Sequence, residues 1–218
     1  MTKVFIISHT HFPFHSKSAY KKMMKAIKKE KPTHVLQVGD LLDMFVFSKY
    51  TRSLEITPAE EIAEGIRLAT KMWEDIQKIV PKAKCIQMLG NHDTRLIKRI
   101  SEKLPELSSF FSHENLYKFK KVTVMKSDRD FIEIDGVVYL HGYLSKSIDH
   151  ARFFNKPVVH GHTHRPCIEV DRPGLWSMSV GYMADKDALP LQYTQSKLNK
   201  WTLAAGVVEN GQPRLIFL

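Results

Sequence analysis

Residues that commonly bind metal ions are concentrated in five short segments of this sequence. The segments are Ser8–His11, Gly39–Asp43, Gly90–Asp93, His141–Gly142 and Gly161–His164, and they are rich in histidine, aspartate and asparagine. Imidazole nitrogens mixed with carboxylate and amide oxygens suit Mn, Fe, Zn, Co or Ni better than Mg, which prefers oxygen ligands alone. Two divalent ions held a few ångströms apart can act on both the attacking and the leaving oxygen of a phosphoryl displacement. The residue types therefore indicate a metal centre suited to phosphoester chemistry.

Each of the five segments follows a run of residues that predicts a β-strand. These predicted strands are Val4–Ile7, His34–Val38, Cys85–Leu89, Val137–Leu140 and Val158–His160. Open α/β sheets place their functional sites beyond the carboxyl ends of their strands. We therefore expect the five segments to meet at one edge of the fold.

Helical patterns alternate with the first strands. Helices are predicted over Lys17–Lys29, from Pro58 to Ile79 and over Thr94–Lys103, and the second opens with the capping-box spacing of Thr57 and Glu60. The dipeptides Asp135-Gly136 and Asn210-Gly211 predict hairpin turns. The chain is expected to form one domain over residues 1–218, an α/β fold of two packed mixed β-sheets flanked by helices.

In order and wording the five segments resemble the calcineurin-like metallophosphoesterases. The pattern of that family is D-x-H, G-D-x-x-D, G-N-H-[DE], H and G-H-x-H, and the resemblance extends over residues 4 to 164. Five motifs in the family order, each after a strand, are far more specific than any one of them alone. The resemblance implies a four-layer αββα sandwich and a dinuclear metal-dependent phosphoesterase, which is a hydrolase acting on ester bonds.

The resemblance also implies the metal ligands. Asp40 would bridge two divalent transition-metal ions, with Mn²⁺ preferred and Fe, Zn, Co or Ni as alternatives. One ion would take His9, His11 and His164. The other ion would take Asn91, His141 and His162. A hydroxide bridging the two ions would be the nucleophile.

Residues beside the ligands are assigned further roles. By the resemblance, His92 would protonate the leaving oxygen or stabilise the transition-state charge, and Asp93 would orient the His92 ring. Asp43 is either a hydrogen-bond partner of a ligating histidine or a helix cap. Arg95 and Arg165 either hold the substrate phosphate or are surface charges.

The sequence departs from the family at His9, where the pattern has an aspartate. One carboxylate, instead of two, would then face the two ions, so the metal pair would be more positive by one unit. Three readings stay open: His9 binds a metal through a ring nitrogen, His9 points away, or the protein is a non-catalytic binding module. We favour direct ligation by a ring nitrogen of His9. The non-catalytic module is the least favoured, because the other ligands and His92 are all present.

The charge of the chain favours anionic partners. Its 218 residues have a formal net charge of +10 at pH 7, and its pI is about 9.5. Seven lysines lie within Lys17–Lys31, where they form either the solvated face of an amphipathic helix or a nucleic-acid footprint.

From the resemblance and the basic charge together, we expect a phosphodiesterase, or nuclease, acting on nucleotides or nucleic acid. The alternatives are a nucleotide or protein phosphomonoesterase and, on the same fold, a non-catalytic scaffold.

Cellular location is predicted from what the sequence contains. No apolar run approaches the roughly 20 residues that span a bilayer, and the N-terminus does not resemble a signal peptide. A cytoplasmic protein without membrane partners is therefore expected. Cys85 and Cys167 are expected to be free thiols.

Overall fold

Two β-sheets lie face to face at the centre of the fold. The computed structural model describes residues 1–48, 55–188, 190–191 and 200–218. The first sheet has the order β11-β10-β1-β2-β3-β4. Its strands are β1 (Lys3–Ile7), β2 (His34–Val38), β3 (Lys84–Met88), β4 (Val122–Val124), β10 (Ala204–Glu209) and β11 (Gln212–Phe217). Strands β1 to β4 run parallel to one another, and β10 pairs antiparallel with β1.

The second sheet has the order β5-β6-β7-β9-β8. Its strands are β5 (Phe131–Ile134), β6 (Val137–Leu140), β7 (Val158–His160), β8 (Cys167–Arg172) and β9 (Leu175–Ser179). The three central strands are parallel and the two edge strands are antiparallel to their neighbours. Both sheets are mixed, which confirms the predicted fold class.

Alternate residues of each strand divide the core into layers. Val4 and Ile6 point from β1 into the space between the sheets, where they meet Tyr139, Val159 and Met178 of the second sheet. The intervening Phe5 and Ile7 point to the other face and contact the helices there. Because the side-chain period of a strand is two, both faces of the first sheet are buried.

Helices cover the outer faces of both sheets. Helices α1 (Lys17–Glu30) and α2 (Pro58–Ile79) bury residues such as Met23 and Trp73 against the first sheet. Helix α5 (Ser147–Phe154) packs Ala151 on the second sheet. Two shorter helices, α3 (Arg95–Lys103) and α4 (His113–Leu116), lie between β3 and β4 with a 3₁₀ helix (Pro105–Phe110) between them. None of the described helices is long and apolar enough to cross a membrane.

Most sequence-based boundaries agree with the structure to within one residue. The capping box at Thr57 and Glu60 forms, with the Thr57 hydroxyl accepting from the Glu60 amide at 3.3 Å. Both predicted hairpins are present, and their central residues, such as Asp135 and Asn210, have positive φ. Helices α4 and α5 were not predicted from the sequence.

Candidate metal centre

The five polar segments meet where strands β1, β2, β3, β6 and β7 end. Backbone hydrogen bonds join the segments to one another. The His9 amide donates to the Gly39 carbonyl at 3.1 Å, and the Gly161 amide donates to the His141 carbonyl at 2.9 Å. The second of these bonds joins two loops of the second sheet, and the first joins two loops of the first sheet. The expected convergence at one edge is thus observed.

The backbone of this site is unusual. Five of its histidine and aspartate residues have φ between 51° and 64°, in the left-handed region that L-amino acids seldom adopt: His9, His11, Asp40, His162 and His164. The loops are also closely packed, because a Cβ atom added to Gly90 would collide with the Asp40 carboxylate. These conformations turn side chains from different loops towards a common centre.

A first donor cluster is formed by His9, His11, Asp40 and His164. One ligand atom from each lies within 4.8 Å of the others, and all four residues are buried. The His9 Nδ1 atom lies 3.1 Å from Asp40 Oδ2 and 2.9 Å from His164 Nε2. The His9 ring therefore points into the cluster.

A second donor cluster is formed by Asp40, Asn91, His141 and His162. Asn91 Oδ1 lies 3.1 Å from His141 Nε2 and 3.2 Å from His162 Nδ1. Asp40 Oδ1 lies 3.6 Å from His141 Nε2. Asp40 thus belongs to both clusters, and its two carboxylate oxygens face different neighbours.

The chemistry of these atoms fits bound cations. His141 Nδ1 lies 2.9 Å from the Val38 carbonyl, which can only accept, so Nδ1 carries the hydrogen and Nε2 presents a lone pair. The same reasoning applies to His11, whose Nδ1 lies 2.8 Å from Asp43 Oδ2. The buried His11 Nε2 atom has no hydrogen-bond partner among the described residues. Lone pairs that converge without hydrogens between them are what a metal ion requires.

The protonation of three of these histidines also favours metal binding. Burial lowers the pKa of His9 to about 3, and burial likewise lowers the pKa values of His162 and His164. The pKa of His11 is instead raised, because Asp43 and Asp40 favour its imidazolium form despite burial. An imidazole must be neutral to bind a metal ion, so the three lowered pKa values favour binding and the raised pKa of His11 opposes it. The Asp40 pKa lies well below its usual value, because His141, His92 and His9 favour the carboxylate despite its burial. One carboxylate and three neutral imidazoles are thus available to a metal ion at neutral pH.

His92 is held by Asp43 and Arg95. Its Nδ1 donates to the Asp43 carbonyl oxygen at 2.9 Å, and its Nε2 accepts from the Arg95 guanidinium at 2.9 Å. Arg95 also donates to the same Asp43 carbonyl at 3.0 Å. The His92 Nε2 atom lies 4.0 Å from Asp40 Oδ2, so His92 and Arg95 both reach the edge of the first donor cluster.

The expectation that Asp93 orients the His92 ring is wrong in this structure. The buried Asp93 carboxylate accepts from the backbone amides of Leu41, Leu42 and Gly90 at 3.2, 2.9 and 2.8 Å. The Tyr117 hydroxyl donates to the Asp93 carbonyl at 3.0 Å. Asp93 therefore joins the loop after β2 to the loop after β3 through hydrogen bonds. Its side chain does not reach the His92 ring, because consecutive side chains in this turn point to different sides.

The two possible roles of Asp43 are distinguished by its contacts. Its carboxylate contacts the His11 ring. The short 3₁₀ helix that follows, Phe45–Phe47, has Met44 at its N-cap position, so Asp43 is not the cap residue. Asp43 is thus a partner of a histidine in the first donor cluster. Arg165 is exposed, and its guanidinium makes no hydrogen bond or ion pair with any described residue.

The sequence indicates structural roles for His150 and His160, and both histidines are fully buried. The His150 Nε2 atom accepts from the amides of Tyr143 and Leu144 at 3.2 Å each, in the loop that follows His141. The His150 ring stacks on the His160 ring with centroids 4.2 Å apart. The only signal in the sequence for this support of the loop after His141 is that both histidines lie close to the motifs along the chain.

Comparisons with known proteins found similar sequences and similar solved structures. The Gene 54 protein of Mycobacterium phage D29 is 26% identical over 231 residues, which cover 94% of this chain and 88% of that protein. The solved structure of Vps29 from Chaetomium thermophilum superposes with a TM-score of 0.50 at 11% identity, over 96% of this chain and 85% of the other. The phosphoesterase Yfce from E. coli gives a TM-score of 0.45 at 15% identity, over 96% and 89%.

The two structural likenesses concern the fold. The family assignment comes from a sequence model of the calcineurin-like phosphoesterases, which matches residues 2–192. That range contains all five polar segments and both donor clusters. The chain belongs to the calcineurin-like phosphoesterase family.

Proposed function

We propose that this protein is a phosphodiesterase that uses two divalent transition-metal ions to hydrolyse nucleotide or nucleic-acid phosphoesters. The observation that carries the proposal is the position of Asp40, whose two oxygens face two different sets of donors. One ion would be held by His9, His11, Asp40 and His164, and the other by Asp40, Asn91, His141 and His162. Bound ions would supply Lewis acidity towards the phosphoryl oxygens and lower the pKa of water.

The remaining groups act on the substrate. Because His92 Nδ1 is committed to the Asp43 carbonyl, Nε2 is the atom that would donate a proton or a hydrogen bond to the leaving oxygen. Nε2 now accepts from the Arg95 guanidinium, so that step would require Arg95 to turn to a phosphoryl oxygen, where it would stabilise developing negative charge, and His92 to gain a proton on Nε2. The Arg165 guanidinium has no hydrogen bond or ion pair with any described residue, so its role in phosphate binding rests on its place after the last motif.

Nitrogen ligands determine which metal we propose. The first donor cluster offers three imidazoles and one carboxylate, a set that favours Mn²⁺ or a later transition metal over Mg²⁺. Ligation by His9 would use Nδ1, the atom that faces Asp40 and His164. The replacement of the family's aspartate by histidine therefore changes the charge of the site without removing a ligand.

The test combines metal analysis with two chromogenic substrates. Protein loaded with Mn²⁺ should contain two ions per chain and should hydrolyse bis-p-nitrophenyl phosphate. Faster turnover of p-nitrophenyl phosphate would instead favour a phosphomonoesterase. Two bound ions per chain in Asp40→Ala would contradict the bridging role of Asp40. Folded, metal-loaded protein without turnover of either ester would favour a non-catalytic scaffold.

A further inference from the structure

Helix α3 carries a row of cationic residues that begins at the candidate metal centre. Arg95, Arg99 and Lys103 are spaced four residues apart, so they occupy one side of the helix and extend over about 12 Å. Arg95 contacts His92 at 2.9 Å, whereas Arg99 and Lys103 are exposed to solvent. We call these three residues the basic row.

The other side of α3 explains why the basic row faces outwards. Leu96 is partly buried and packs on the core beneath the first sheet, as does Leu116 of α4. Leu96 and Ile97 also line an apolar pocket of about 210 Å³ that is open to solvent, together with Phe110, Phe111 and Leu116. The apolar side of α3 thus faces the core and the segment that follows the helix, and the basic row lies at the surface next to the centre.

Two of the three charges in the basic row have no carboxylate partner among the described residues. In that part of the chain, no carboxylate oxygen lies within 4 Å of the Arg99 or Lys103 side-chain nitrogens, although Glu102 lies on the same helix. Arg95, by contrast, lies 3.8 Å from Asp43 Oδ1, and Lys98 is paired with Asp128 at 2.6 Å. Like charges four residues apart repel one another, so an anion bound along Arg99 and Lys103 would relieve that repulsion.

We propose that the basic row binds successive phosphates of a single nucleic-acid strand whose scissile phosphoester lies in the metal centre. This inference rests on the proposed function and adds its substrate class, a polynucleotide instead of a mononucleotide. A ligand on the basic row that also reaches His92 must carry an ester at the centre and further anions beyond it. A phosphodiester chain has both features at regular spacing, whereas a phosphorylated acidic protein offers a monoester with carboxylates at no fixed spacing from it.

The experiment measures strand binding and small-ester turnover on the same Mn²⁺-loaded protein. The ligand is a fluorescent, hydrolysis-resistant single-stranded DNA of about 12 nucleotides, a length within the usual site size for such strands. The test variant is Arg99→Ala with Lys103→Ala. The matched control is Lys21→Ala with Lys25→Ala, which removes two exposed lysines at the same spacing from α1.

The test variant should bind the strand at least tenfold more weakly than the control variant. The plot of log affinity against log salt concentration should become shallower by about 1.4, since each lost phosphate contact on a single strand removes about 0.7. With a cleavable strand, the ratio of kcat/KM for the strand to that for bis-p-nitrophenyl phosphate should fall by a similar factor.

Equal strand affinity of the test variant and the unsubstituted protein would overturn the inference. So would a larger loss in the α1 control, which would place the strand on the other basic helix, or failure of any strand to bind. In each of these cases continued hydrolysis of bis-p-nitrophenyl phosphate would leave the proposed function standing. If the unsubstituted protein does not hydrolyse bis-p-nitrophenyl phosphate, the proposed function is instead rejected.

Discussion

Replacing Asp93 with asparagine separates a structural role of this residue from a catalytic one. One carboxylate oxygen of Asp93 accepts from the Leu41 and Gly90 amides, and the other accepts from the Leu42 amide. An asparagine keeps one acceptor oxygen and places an NH₂ group where the other stood. The favoured orientation keeps the oxygen on the Leu41 and Gly90 amides, so the NH₂ group faces the Leu42 amide and that one buried N–H group loses its acceptor.

The expected loss of stability follows from this count. A buried donor left unsatisfied costs about 1–3 kcal/mol. Burial raises the pKa of Asp93 to about 6, so the neutral amide avoids part of the cost of burying a charge. We therefore expect the free energy of unfolding to fall by about 2 kcal/mol, measured by urea denaturation of the metal-free protein.

The matched control is Asp130→Asn, in which a half-buried aspartate that accepts from the Lys126 and Ser127 amides is changed in the same way. It should cost less than about 1 kcal/mol, because water can replace the lost acceptor. A folded Asp93→Asn protein of unchanged stability and greatly reduced kcat would refute this reasoning. That outcome would return Asp93 to the catalytic role expected from its place beside His92.

Four further perturbations test other parts of the site. Asp43→Ala should weaken metal binding in the first donor cluster about 10–100-fold in calorimetric titration, because His11 Nδ1 loses its acceptor. Glu61→Gln, which alters a buried carboxylate that accepts from the Phe45 and Val46 amides, should leave metal binding unchanged. His92→Ala should reduce kcat about 10²–10⁴-fold with metal content unchanged, and an unaffected kcat would remove His92 from the reaction. His9→Asp should tighten Mn²⁺ binding about tenfold or more and allow activity with Mg²⁺, since it adds a negative charge next to a dication; weaker binding would count against ligation at position 9. Burial raises the pKa of Glu61 from 4.5 to about 6, so the folded state binds more protons between these values and the free energy of unfolding should fall as pH rises through them; Glu61→Gln should flatten that part of the pH profile, and an unchanged profile would argue against the shift.

The fold could be predicted from the sequence because the hydrophobic pattern of the strands and the position of the polar motif after each strand indicate the same architecture. Buried strands such as His34–Val38 end directly at a polar segment, and parallel strands bring such segments to one edge. The capping box of α2 and the two hairpin turns could also be predicted, because they depend on residues that are neighbours in sequence. Helix α5 was missed because the residue before it, Lys146, provides no side-chain cap, and its sequence mixes polar and aromatic residues.

The pairing of side chains within the site could not be read from the sequence. Asp93 is next to His92 along the chain, yet the His92 ring is held by the Asp43 carbonyl and by Arg95. Which way a side chain points in a tight turn depends on the backbone dihedrals of that turn. Those dihedrals are set by contacts with other loops, such as the bonds from Leu41 and Leu42 to Asp93, that sequence neighbours do not specify.

The left-handed backbone at His9, His11, Asp40, His162 and His164 has a consequence for the evolution of this protein. Each non-glycine residue in that conformation costs the fold about 1–2 kcal/mol, so the centre is assembled against the preference of its own chain. A glycine at any of these positions would relax the backbone and remove a metal-binding side chain in the same step. Selection for thermal stability alone would therefore erode the centre, and only selection for its chemistry would retain these five residues.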